Sequence, residues 1–139
     1  MKSSFGKKNE AAGLPLSADF HRHACAPRHA ECLQNADGSA VGVGSCGDSI
    51  AITLRIEGEI IAEIGCRPEG CEYTVACASA VRSLALGRTT GKALELQPED
   101  VERELGGLPE DHRHCARLAV NTLGDAIADT YRQPSRKTP

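Results

Sequence analysis

Tryptophan is absent from this 139-residue chain, and Phe5, Phe20, Tyr73 and Tyr131 are its only aromatic residues. No stacking platform for bases or sugars can be assembled from so few rings. A basic stretch is also missing: Lys plus Arg is 16 and Asp plus Glu is 19, so the formal charge is 16 − 19 = −3. A nucleic-acid partner is therefore not expected. No segment approaches the ~20 apolar residues of a membrane span, and no apolar run follows Lys2, Lys7 and Lys8 as a secretory leader requires. Neither a membrane association nor export is expected. Finally, no Cys-x-x-Cys pair occurs, which removes the usual signature of a thiol oxidoreductase or a locally spaced zinc motif.

Cysteine itself is abundant, with seven at positions 25, 32, 46, 66, 71, 77 and 115. An odd count leaves a thiol unpaired, and without an export signal the expected setting is the reducing cytoplasm, where thiols serve metal or sulfur chemistry. The length and 40% hydrophobic content suit one domain with one core.

The organisation reads as a polar tail over 1–17, a domain over 18–133 and a second polar tail over 134–139. A short helix is allowed from Ala18 toward Leu33, limited by Pro27, and Asn35-Ala36-Asp37-Gly38 signals a turn before a minor strand at Val41-Gly42-Val43. Ile50, Ile52, Leu54 and Ile56 alternate with Ala51, Thr53, Arg55 and Glu57, the period of a strand with one buried face. Gly58 supplies a turn, and Ile60, Ala62, Ile64 and Cys66 continue the alternation on a return strand. Cys66 is thus expected to be a packed core thiol.

Beyond Pro68-Glu69-Gly70 the spacing of Val75, Ala78, Val81 and Ala85 turns helical, and Gly87 is placed to end the helix. A short segment surrounds Ala93 and Leu94. Gln97-Pro98-Glu99-Asp100 then opens another helix with proline at its first position, and Gly106-Gly107 closes it. A last, long helix begins near Pro109-Glu110-Asp111 and carries Cys115, Leu118, Ala119, Thr122, Leu123, Ala126, Ile127 and Tyr131 on one stripe. Strands first and helices after predict an α+β domain: a small antiparallel sheet of two to three strands with four to five helices packed on one face.

Three cysteines stand at element boundaries. In Cys46-Gly47-Asp48 a thiol and a carboxylate two residues apart can face one ion, and Gly47 permits close approach, although a loop cysteine beside a strand-starting aspartate reads equally well. Cys71 follows Gly70 at a helix start, where the positive end of the helix favours thiolate; a buried helix-start thiol is the alternative. His114 and Cys115 are helical neighbours, pointing about 100° apart, so both can border one site while one of them looks outward. His112 reads first as an exposed polar residue and second as an outer-shell base. The separations, 71 − 46 = 25 and 115 − 71 = 44, fit no local zinc motif, and a protease-like Cys/His pair lacks an oxyanion loop.

Taken in order, His23-Ala24-Cys25-Ala26-Pro27-Arg28-His29, Asn35-Ala36-Asp37-Gly38, Cys46-Gly47-Asp48, Gly70-Cys71, Gly87-Arg88, Leu108-Pro109 and His114-Cys115 resemble the NifU-type, or IscU-like, iron-sulfur cluster assembly scaffolds over residues 20–132. The resemblance implies a SufE/NifU-like α+β fold and a scaffold without turnover of its own. It implies that Cys46, Cys71 and Cys115 are ligand thiolates, with Asp48 and His114 competing for the remaining coordination. The cargo would be iron or a labile [2Fe-2S]-type cluster, with zinc held by the same ligands when iron and sulfide are lacking. Implied partners are a cysteine desulfurase, with Cys115 the candidate persulfide acceptor, and recipient apo-proteins. Chaperone-engaging members carry Leu-Pro-Pro-Val-Lys, whereas Leu108-Pro109-Glu110-Asp111-His112 stands here, which puts an Hsp70-type partner in doubt. His112 replaces that lysine, and Glu72 and Tyr73 are bulkier than the residues usual after the middle cysteine. Two alternatives are weighed: a structural zinc domain braced by the same side chains, and, with less weight, a sulfurtransferase using Cys115. Oligomeric state is left open, as are the roles of Cys25, Cys32 and Cys77, the last expected to pack in or beside its helix.

Overall fold

Strong β alternation at the centre of the chain builds the sheet. In the computed structural model, which describes residues 16–25, 32–45 and 47–132, three strands, β1 (Gly38–Val43), β2 (Ser49–Glu57) and β3 (Ile60–Glu69), pair antiparallel in the order β1-β2-β3. Ile50, Ile52 and Leu54 on β2 are completely buried, as their alternation requires. A two-residue turn at Gly58-Glu59 joins β2 to β3, with Glu57 opposite Ile60 and Gly58 at φ 65°.

The return strand departs from strict alternation. Arg55 pairs with Glu63 but Ile56 pairs with Ile61, so β3 carries one extra residue, Ala62. This β-bulge reverses the side-chain phase. Ile61 and Ile64 both face the core, while Ile60, expected on the buried face, is 39% exposed. Cys66 lies past the bulge and is buried as expected, its Sγ 3.7 Å from the Ala78 carbonyl oxygen. Burial pushes its thiol up to about 12.

The helices are α1 (Ala18–Cys25), α2 (Glu72–Ala85), α3 (Thr90–Ala93), α4 (Pro98–Glu104) and α5 (Arg113–Arg132), with a 3₁₀ turn at Glu110–His112. Pro98 occupies the first position of α4, and a capping box joins Gln97 to Asp100. Helix α5 runs along β1 and β2, and α2 packs on β3. The approach of α5 to β1 depends on two glycines. A Cβ at Gly38 would lie 2.5 Å from the Ala126 carbonyl oxygen, and one at Gly42 would collide with the Thr122 hydroxyl. Thr122, Ala126 and Thr130 therefore form a small-residue seam over that strand, with Gly38, Thr122, Ala126 and Thr130 all buried. Tyr131 does not join the buried stripe. It is 60% exposed on the rim, where its hydroxyl meets Thr90 Oγ1 at 2.6 Å.

Helix α1 is described over Ala18–Cys25, its expected continuation toward Leu33 falls on residues 26–31, which lie outside the described residues, and its sequence explains how it is held. Ser17 Oγ accepts the Phe20 amide at 3.0 Å and donates to the Leu105 carbonyl, capping the helix while tying it to the end of α4. Phe20 is fully buried. His23, only 2% exposed, meets Ser79 Oγ of α2 at 2.7 Å and Glu104 Oε2 of α4 at 3.0 Å, so one imidazole joins three helices. Cys77 packs on the inner side of α2, and burial raises its thiol pKa far above the ordinary range. No helix among the described residues is long and apolar enough to cross a membrane.

Candidate metal centre

Antiparallel pairing of Ser49 with Glu69 places the residue before β2 beside the residues after β3. Asp48 thereby packs against Gly70 and shares a cleft with Cys71, residues 22 and 23 positions further along the chain (70 − 48 and 71 − 48). Gly70 is required by the crowding: a Cβ there would lie 2.7 Å from Asp48 Cβ and 3.0 Å from Thr74 Oγ1. Cys71 is the N-cap of α2, exposed and extended at φ −76° and ψ 176°. From the other side, the 3₁₀ turn delivers His112, and the first turn of α5 delivers His114 and Cys115. Cys115 is completely buried, whereas His112 and His114 are half-buried at the edge of an open cleft of about 460 Å³. Gly47, Asp48, Glu69, Gly70, Cys71 and the two histidines are among its lining residues.

Of the expected site residues, Asp48, Cys71, His114 and Cys115 come together; Cys46 lies outside the described residues. Cys115 Sγ stands 4.0 Å from Asp48 Oδ2 and 3.7 Å from His114 Nε2. Ligand atoms of Asp48, His114 and Cys115 lie within 4.8 Å of one another, and so do those of Cys71, His112 and Cys115. Two thiols, a carboxylate and two imidazoles suit iron or zinc, and the mixture of soft and hard donors suits exchange of what is held. His112 is thus part of the cleft, stacked on Tyr73 with ring centroids 3.8 Å apart and planes 11° from parallel.

The residue missed by reading motifs is Thr74. Its hydroxyl, fully buried, donates to Asp48 Oδ2 at 2.6 Å and lies 3.7 Å from Cys71 Sγ and 3.8 Å from Cys115 Sγ. The signal was its place three residues after Cys71, one helical turn along the same face. That hydrogen bond is the leading reason the Asp48 carboxyl titrates below its ordinary range, against the opposing effect of burial; the backbone, His114 and His112 add smaller contributions in the same direction. Cys115 behaves oppositely. Burial, the largest influence, pushes its thiol up to about 11. At neutral pH the metal-free cleft therefore holds an ionised carboxylate above a protonated thiol, and a metal entering must displace the Cys115 proton.

Replacing Thr74 by Val keeps the shape and removes the donor. The Asp48 carboxylate, 7% exposed, would lose its buried partner, and urea unfolding of Thr74→Val is expected to show about 2 kcal/mol less stability at neutral pH. Thr74→Ser should recover most of it; equal stability of the Val variant and the parent would contradict this role.

A three-stranded antiparallel sheet covered by a long C-terminal helix, with thiol, carboxylate and imidazole groups at one end, defines the class as a small α+β domain with a candidate exchangeable-metal cleft. Residues 17–137 match the family described as the NifU-like N terminal domain, and the chain belongs to that family. It is 34% identical over 108 residues to an iron-sulfur cluster assembly scaffold protein IscU of Archaeoglobus fulgidus, covering 77% of this chain and 71% of that protein. An IscU scaffold protein of Aquifex aeolicus is 32% identical over 117 residues, covering 82% of this chain and 74% of the relative. The N-terminal NifU-like structure from Brucella abortus superposes with a TM-score of 0.71 at 13% identity, over 84% of this chain and 94% of that one, which demonstrates the shared fold.

Proposed function

We propose that this protein is an iron-sulfur cluster assembly scaffold acting in the cytoplasm, holding iron and sulfide as cargo for transfer to apo-proteins. The observation that carries the reading is that Asp48, Cys71 and His114 line one open cleft and Cys115 lies buried against them, the four coming from three separate elements. Cys46, next to Gly47 on the cleft rim in sequence, completes the ligand set by resemblance. Thiolates that bind soft metal firmly are joined here by a weaker carboxylate and a competing imidazole on an open cleft, a donor set suited to releasing what it holds rather than to bracing the fold. Zinc fits the same donors.

Each residue then has a role in handling cargo. Cys71 and Cys115 hold metal as thiolates, Asp48 offers a weak oxygen position kept in place by Thr74, and His114 competes for that position. Cys115 receives sulfane sulfur from the persulfide of a cysteine desulfurase, the donor cysteine leaving as a thiolate, and two electrons from thiol reductant, here excess free cysteine oxidised to its disulfide, release that sulfur as sulfide and restore the Cys115 thiolate. No step requires turnover by the scaffold itself.

Anaerobic mixing of the full chain with ferrous iron, cysteine and a cysteine desulfurase should generate visible sulfur-to-iron charge-transfer absorption. The Cys46→Ser/Cys71→Ser/Cys115→Ser variant should remain colourless. Absence of the band from the parent, or its persistence in the triple variant, would reject the scaffold reading.

A further inference from the structure

The cleft contains more ligands than one tetrahedral ion can use, and they divide in a specific way. His112 groups with Cys71 and Cys115, while His114 groups with Asp48 and Cys115; the two sets share only the Cys115 sulfur. Ligand atoms on one tetrahedral zinc-like ion stand about 3.5–3.8 Å apart, as bond lengths near 2.1 and 2.3 Å dictate. The 4.8 Å limit within each set is therefore within an ångström or so of closure. Small rotations of side chains at the cleft suffice.

His112 is also braced for such a role. Tyr73 lies flat against its imidazole, and Tyr73 itself leans on the fully buried Phe20 with ring centroids 5.3 Å apart. The stack fixes the ring plane, and a ring nitrogen lies within 4.8 Å of the Cys71 and Cys115 sulfurs. His112 and His114 have centroids 6.2 Å apart and planes tilted by 30°, so they approach the shared sulfur separately.

We propose that His112, Cys71 and Cys115 form a second metal-ion position beside that of Asp48, His114 and Cys115, with the Cys115 thiolate joining two divalent cations held at once. A thiolate sulfur has lone pairs for two metals, and the Cys46 thiolate assigned by resemblance, with solvent on the open side of the cleft, completes the coordination shells. This rests on the reading of the cleft as a metal-holding site and deepens it: the two iron ions of a two-iron cargo each have a protein-supplied position before sulfide links them. Tyr73 and His112, stacked on each other, then act together.

Cobalt(II) serves as the probe, counted by native mass spectrometry and followed by thiolate charge-transfer absorption under anaerobic conditions. A Cys25→Ser/Cys32→Ser background removes two exposed thiols outside the cleft. That protein should take up two Co(II) per chain. Adding His112→Phe keeps a ring to stack on Tyr73 but removes the donor nitrogen; it should bind one Co(II), with the second affinity weakened at least ~100-fold and the first changed less than about threefold. His114→Ala should weaken the other position instead. One Co(II) in the parent, or two with unchanged affinities in His112→Phe, overturns the inference. Cluster formation is scored separately: two Co(II) without any cluster band retains the second position and removes the scaffold reading, and one Co(II) with a full band does the reverse.

Discussion

Replacing Cys115 by Ala is expected to lower zinc affinity by about 100- to 1,000-fold in a competition titration with a chromophoric chelator. Four-ligand structural zinc sites are worth roughly 10–16 kcal/mol at neutral pH, or about 2.5–4 kcal/mol for each ligand, which sets that range. The upper end is expected because Cys115 is the one sulfur common to both ligand groups. The metal-free fold should change little. Cys115 is buried at the head of α5, and deleting one sulfur there is expected to remove about 1 kcal/mol by urea unfolding. A loss below tenfold in affinity would show that Cys115 is a core thiol.

Zinc affinity should also climb steeply with pH, with Cys115 alone contributing about tenfold per unit, or about 100-fold between pH 7 and 9. Its thiol, raised by burial from an ordinary value of 9.0 to about 11, remains protonated throughout that interval, so the first ion bound at Cys115 releases its proton. In Cys115→Ala the slope of log affinity against pH should fall by about one; an unchanged slope would contradict displacement of this proton. For the metal-free fold the sign is reversed. A thiol whose folded value exceeds its unfolded value contributes stability that is complete below about 9 and is lost as pH rises toward 11. The Asp48 carboxyl, lowered in the fold, contributes stability above its ordinary value of 3.8 that disappears as acid protonates it. Metal loading and metal-free stability thus respond in opposite directions to alkali.

Local periodicity carried most of the architecture because it reports which face of each element is buried. The buried face of β2, the proline and acids opening α4 and the α5 stripe from Cys115 to Ile127 appear as read, with Leu118 half-buried. The return strand was misphased from Ile60 to Ala62, since a bulge arises from pairing against β2 and leaves no period of its own in the sequence. Tyr131 was misplaced because a large ring at the right spacing can lie on the rim when its hydroxyl has a partner there.

The sequence by itself determined the chemistry available: thiols at 46, 71 and 115, Asp48 beside the first of them and His114 beside the last. Those identities and their order were sufficient to point to the scaffold family, because ligand type is a property of single residues. Tertiary structure decided which groups meet. Only antiparallel pairing brings Asp48 against Gly70, only the docking of α5 puts Cys115 under Thr74, and only the Tyr73 stack turns His112 from a surface residue into a candidate ligand. Contacts among positions 48, 74 and 115 depend on chain segments tens of residues apart, and no local spacing encodes them.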